Sequence, residues 1–142
     1  MSERQKVGYM DVHYVDIRSF CYATESPERV MEALTYLVPP ETEFDENIME
    51  GHYGDEIRIY TVRIENADDL RHVLDSVDEI LDEELDLNER VDEDCRFHLR
   101  LDKQSVYNEE PELGSGIELS FKMEAYPAKK PKAVDAVRRT IS

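Results

Sequence analysis

At 142 residues the chain has the length of one domain, long enough to bury about two-thirds of the surface its unfolded form exposes. Its 34 acidic and 17 basic residues give a net charge of −17, but a 40% hydrophobic content excludes a disordered acidic tail. No apolar run approaches the roughly 20 residues of a membrane span, and MSERQKVGYM lacks a signal peptide's apolar stretch, so a cytoplasmic protein is expected.

Residues 9–22, YMDVHYVDIRSFCY, are rich in β-branched and aromatic types and read as a long first strand. Thr24 to Pro27 reads as a helix start, with Ser26 or Thr24 as cap and Pro27 in the first turn. Val30, Ala33, Leu34 and Leu37 keep helical spacing until Pro39-Pro40 ends the helix. Residues 42–50 read as a weak strand or loop, and Gly51-His52-Tyr53-Gly54 as a tight connection into a strand over 55–64. Asn66 then opens a long helix over 67–87, with Leu70, Val73, Leu74, Val77, Ile80 and Leu81 along one stripe and an almost purely acidic opposite face. Strands follow at 95–101 and 117–125, separated by a polar segment, and Pro127 ends the second of them. Residues 1–127 thus form one α+β domain, and 128–142 a basic C-terminal tail or short helix. That last stretch holds Lys129, Lys130, Lys132, Arg138 and Arg139 against Asp135 alone. Strands alternating apolar and polar residues imply a mainly antiparallel sheet with helices packed on one face and the other face open.

The segment CRFHLRLDKQSVY, residues 95–107, reverses the local charge. Residues 65–94 hold fourteen acids against Arg71 and Arg90, after which Arg96, His98, Arg100 and Lys103 arrive within eight positions. Phe97, Leu99 and Leu101 alternate with Arg96, His98 and Arg100, so those three side chains project from the open side of one strand. The bland reading pairs them with nearby carboxylates. The adjoining Lys103, Gln104 and Tyr107 favour RNA, because cations, an amide and an aromatic suit phosphates, base edges and stacking. His52 and Tyr53 either meet a ligand at their turn or pack over the sheet edge. Cys21 and Cys95 match no metal spacing and read as buried free thiols. No metal site, cofactor motif, phosphate loop or nucleophile–base pair is evident, so no cofactor and no enzyme activity are expected.

The stretches SFCYATESPERVMEAL, EGHYGDEI and VDEDCRFHLRLDKQSVY resemble a small archaeal family of RNA-binding proteins described as exosome-associated. The resemblance implies a fold similar to the ribosomal protein that contacts 5S rRNA. It maps the DKQ motif to Asp102, Lys103 and Gln104, the strand arginines to Arg96 and Arg100, and the GHYG loop to His52 and Tyr53. Two positions depart from the pattern: Asp55 stands where a small amide residue is expected, and Asn108-Glu109-Glu110 where a glycine is expected. Both departures add negative charge.

The leading expectation is a non-catalytic RNA-binding protein, an accessory factor in RNA processing or degradation. Its partners would be RNA and exosome- or ribosome-related proteins, with no membrane and no DNA. The alternative is an acidic subunit that docks on a protein complex through helix 67–87. With 6 lysines against 11 arginines and carboxylates spread over the exposed positions, the composition reads as adaptation to concentrated salt. At about 1 M salt the Debye length is roughly 3 Å, so the global negative charge no longer repels RNA at range.

Overall fold

The computed structural model describes residues 11–82 and 84–141. The period-2 alternation near the N-terminus forms β1 (Val12–Cys21), which buries Val15, Ile17, Ser19 and Cys21 and turns Tyr14, Asp16, Arg18 and Phe20 to the other side. Residues 9 and 10 of the expected strand lie outside the described residues. β1 is the central strand and pairs antiparallel with β3 (Glu56–Ile64) and β5 (Gly116–Met123). β2 (Asp45–Glu50) extends the sheet beyond β3, and β4 (Arg96–Asp102) closes the other edge beside β5. The order is β2-β3-β1-β5-β4, antiparallel throughout.

The weak stretch 42–50 does contain a strand, β2, with all six residues exposed. An edge strand buried on neither face carries no clear alternation, which is why its sequence is mute. The turn after it makes the strand: Gly54 holds a φ of +83° suited to glycine, and its N–H donates to the Gly51 carbonyl at 3.1 Å. Asp45, Glu46 and Glu50 on this edge discourage pairing with another chain's strand.

Helix α1 (Pro27–Leu37) starts where expected, with the Ser26 hydroxyl accepting the Arg29 N–H, and buries Val30, Ala33, Leu34 and Leu37. α2 (Ala67–Ser76) is capped by Asn66, which accepts from the Asp68 and Asp69 N–H groups. The single helix expected over 67–87 is not formed. The chain leaves helical geometry at Val77 (φ −114°, ψ 21°) and continues as two one-turn pieces, α3 (Asp78–Leu81) and α4 (Leu87–Arg90). Between Arg71 and Arg90 no lysine or arginine interrupts the acids, and pairs such as Asp75/Glu79 and Asp78/Asp82 repel at one-turn spacing. Asp86 instead accepts the Asn88 and Glu89 N–H groups as a fresh cap, and Val77, Ile80, Leu81 and Leu87 all reach the core. The docking alternative thereby loses its continuous acidic helix.

The polar segment after β4 contains a short helix that its composition hides, α5 (Lys103–Tyr107), with Val106 buried beneath it. Residues 128–142 were readable as tail or helix; Lys130–Ile141 is the helix α6, and Ala133, Val134, Ala136 and Val137 join the core. The core lies between these helices and the inward face of the sheet, around fully buried Ile17, Leu34, Leu99, Leu119 and Phe121. Cys21 and Cys95 are buried and unbridged. Burial, reinforced by the Glu25 carboxylate, pushes the Cys21 thiol up. Among the described residues no helix is long and apolar enough to cross a membrane.

Candidate nucleic-acid interface

Arg96, His98 and Arg100 do project together from β4, opposite buried Phe97, Leu99 and Leu101. Register extends that row across the sheet. Arg100 lies opposite Glu118, and His98 opposite Ser120, on β5. Glu118 in turn pairs with Arg18 and Ser120 with Asp16 on β1, while Asp16 faces Arg63 and Arg18 faces Thr61 on β3. These side chains line a trough of about 570 Å³ on the open face.

Most of the cations on this face already hold partners. Arg96 donates to the Tyr14 hydroxyl at 2.8 Å, to Ser120 Oγ at 3.2 Å and to Asp16 at 3.3 Å. Arg63 grips Asp16 through two bonds of 2.7 and 3.0 Å, and its guanidinium lies 3.9 Å from the centre of the Tyr14 ring. Arg18 meets Glu118 at 2.7 Å, and Lys122 donates to the Asp94 carbonyl. The Arg100 side chain differs: it is exposed and makes no hydrogen bond, ion pair or ring contact among the described residues.

A tight turn before β4 fixes His98. Cys95 sits at φ +63°, so the strand begins one residue later than its alternation suggests. Asp92 accepts the Asp94 and Arg96 N–H groups and comes within 2.8 Å of His98 Nε2. Burial pushes the Asp92 carboxyl up, but the hydrogen bonds from His98 and the two backbone groups outweigh it and hold the group below its ordinary range.

The DKQ motif is an elbow where strand becomes helix. Asp102 caps α5 by accepting the Ser105 N–H at 2.9 Å. The Lys103 ammonium reaches back across the sheet to Glu25, at 2.8 and 2.9 Å from its two oxygens, and to the Phe20 carbonyl. It also lies 5.3 Å from the Tyr22 ring centre. Lys103 therefore braces the elbow, with its charge already engaged. Gln104 is exposed, and its side-chain amide donates to the Asn108 Oδ1 at 3.4 Å. Tyr107 is half-buried beneath the Arg29 guanidinium, 5.5 Å away, in a crevice of about 180 Å³ shared with Glu25, Lys103 and Gln104.

His52 and Tyr53 occupy the tip of the β2–β3 hairpin, their rings edge to face with centres 4.8 Å apart, and Tyr53 is 87% exposed. Of the two readings for Tyr53, packing over the sheet edge is therefore not what the structure holds. The tip lies at the same end of the sheet as Lys103 but on the opposite edge, four strand spacings or about 19 Å away. The two motifs form no common pocket. Tyr14, Arg18, Phe20, Tyr22 and Arg63 were not singled out from sequence. That β1 is a strand was readable from its composition, but which strands lie beside it was not. Among the described residues, no group of three or more His, Cys, Asp or Glu side chains could hold a metal ion.

The Lys103–Glu25 brace has a pH signature. Burial pushes the Glu25 carboxyl up, but hydrogen bonds from Lys103 and the Tyr22 N–H outweigh it and leave the group below its ordinary value. A carboxyl depressed in the folded state adds stability above its unfolded pKa of about 4.3, and that stability is lost as pH falls through the folded value. The difference in Tm between the wild type and Glu25→Gln should therefore be full at neutral pH and shrink below about pH 4. A difference that stays constant from neutral pH to about pH 3 would remove Glu25 from this role.

The chain matches a family model described as RNA binding over residues 14–123. It is 34% identical to "RNA-binding protein PAB1135" of Pyrococcus abyssi, across 92% of this chain and 94% of that one. Among solved structures, Mth689, a DUF54 protein from Methanothermobacter thermautotrophicus, superposes with a TM-score of 0.76 at 32% identity, covering 92% of this chain and 98% of its own. Protein AF2318 from Archaeglobus fulgidus superposes with a TM-score of 0.76 at 27% identity, covering 91% and 99%. With its α+β fold, its antiparallel five-stranded sheet and a match over most of its length, the chain belongs to this RNA-binding family.

Proposed function

We propose that the protein is a non-catalytic RNA-binding protein that receives RNA on the open sheet face and around the elbow at the end of β4. The observation that carries this reading is Arg100, an exposed and unpaired guanidinium on a face whose other arginines are engaged. Arginine holds phosphate through two parallel hydrogen bonds and keeps its charge at all working pH values. Gln104 and Tyr107 flank it with an amide and a ring for base edges and stacking. His98 lines the trough, Arg96 holds Asp16 and Tyr14 beside it, Lys103 positions the elbow, and His52 and Tyr53 offer a second contact at the far edge.

The finer expectations belong to the same reading: an accessory role in RNA processing or degradation, linked to the exosome, in the cytoplasm of a salt-adapted archaeal cell. The family resemblance and the acid-rich composition support them. Filter binding of RNA across salt concentrations tests the core of the proposal. Arg100→Ala is expected to weaken binding about tenfold and to reduce the salt slope by about one, because one phosphate contact is lost. Duplex DNA is not expected to compete. Wild-type affinity in Arg100→Ala, with the fold intact, would sink the proposal.

A further inference from the structure

We infer that the trough takes single-stranded RNA with its bases turned onto the sheet and its phosphates outside, and that it rejects duplex. This rests on the RNA-binding reading above and names the class of RNA.

The charges in and beside the trough point that way. Arg18 is neutralised by Glu118 at 2.7 Å, and Arg63 and Arg96 share Asp16 at 2.7 and 3.3 Å. Asp45 adds a further carboxylate to the lining. Away from Arg100 at the rim, a phosphate entering here meets engaged arginines and three carboxylates, at a cost in desolvation and repulsion. A duplex carries its phosphates outermost and would have to present them to this surface. An unpaired base makes different demands. Its exocyclic amino groups donate to carboxylates, and its ring stacks on aromatic faces and arginine planes.

The face supplies such platforms at both ends of β1. Tyr14 stands at one end, and Phe20 and Tyr22 at the other, their ring centres 6.2 Å apart and Arg18 5.5 Å from Phe20. Tyr22 is 49% exposed although it lies beside the engaged Lys103. RNA-binding sheets of four strands stack about two or three bases, and this sheet is of comparable width. Arg100 stands exposed at the rim on β4, where it can hold the phosphate of a strand whose bases face inward. Stacking also suits concentrated salt, since it releases no counterions and keeps its strength where phosphate contacts weaken.

The test is fluorescence anisotropy with the full chain and a labelled RNA of about a dozen nucleotides, single-stranded or annealed to its complement, at about 0.15 M and about 1 M salt. The single strand is expected to bind at least about tenfold tighter than the duplex, and the gap to widen at high salt. Phe20→Leu with Tyr22→Leu, which keeps apolar volume and removes both rings, is expected to lose about tenfold or more on the single strand. Glu118→Gln, which releases Arg18, is expected to narrow the gap by admitting duplex. Duplex binding as tight as the single strand, or a folded Leu/Leu variant with wild-type affinity, overturns the inference and leaves RNA binding standing. Failure of both RNAs to bind overturns the RNA-binding reading itself, and this inference with it.

Discussion

Gly116→Ala is expected to destabilise the fold by about 3 kcal/mol, the largest effect anticipated for a change outside the core. Gly116 opens β5 at a φ of +123°, which side-chain-bearing residues rarely adopt. A Cβ there would also stand 2.7 Å from Lys103 Cγ and 3.2 Å from both Lys103 Cδ and Cε. The Lys103 stem cannot swing away without giving up Glu25 and the Phe20 carbonyl. Part of the loss is therefore backbone strain, and part is displacement of the brace. Urea unfolding of the single variants and of Gly116→Ala combined with Lys103→Met separates the two. The double variant should be more stable than the sum of the single losses implies, because the displaced side chain is counted twice. Strict additivity would mean that the close approach to Lys103 contributes nothing and that strain alone acts.

Lys103→Met is expected to cost about 2 kcal/mol of stability, while Arg100→Ala, three residues earlier in the same motif, stays within about 0.5 kcal/mol of wild type. The Lys103 and Glu25 side chains are only 19% and 30% exposed, so their bond is less screened than a surface pair. Methionine keeps the stem beside Gly116 but leaves the Glu25 carboxylate and the Phe20 carbonyl without the ammonium. Arg100 has no such partner to orphan. For RNA affinity at a temperature where both variants are folded the order reverses, with Arg100→Ala the weaker binder. A Lys103→Met protein as stable as wild type would contradict the brace, and Lys103 would then be available to RNA after all.

These two neighbours show how much of the interface was legible. LRLDKQ reads as one cationic motif in the sequence, but its residues divide by function in the fold. Leu99 and Leu101 are core, Asp102 is a helix cap, Lys103 is a brace, and Arg100 and Gln104 are exposed. The strand alternation that placed Arg96, His98 and Arg100 on one side was readable because period 2 is a local property. Whether each cation was engaged was not readable. The Arg18–Glu118 pair spans 100 positions, and the Lys103–Phe20 bond spans 83. No local pattern encodes such partners; strand order and register do.

The same distinction runs through the helices. Ser26 and Asn66 announced their helix starts, since a cap acts on the next two or three residues. The break at Val77 went unseen because the apolar stripe continues through it, and only the unrelieved acids around it hinted at trouble. β2 and α5 were the faintest elements: one is exposed on both faces, and the other is five residues long and built on a cap.

By itself the sequence determined the α+β class, the strand that carries the cations, the face they project from and the burial of the two cysteines, all of which follow from local periodicity and composition. Tertiary structure decided which charge is available. By setting β1 between β3 and β5 it brought Asp16 and Glu118 against Arg63, Arg96 and Arg18, and left Arg100 at the rim with no partner among the described residues. The physical reason is that burial follows from a residue's own neighbours in the chain, whereas neutralisation depends on which distant strand lies alongside.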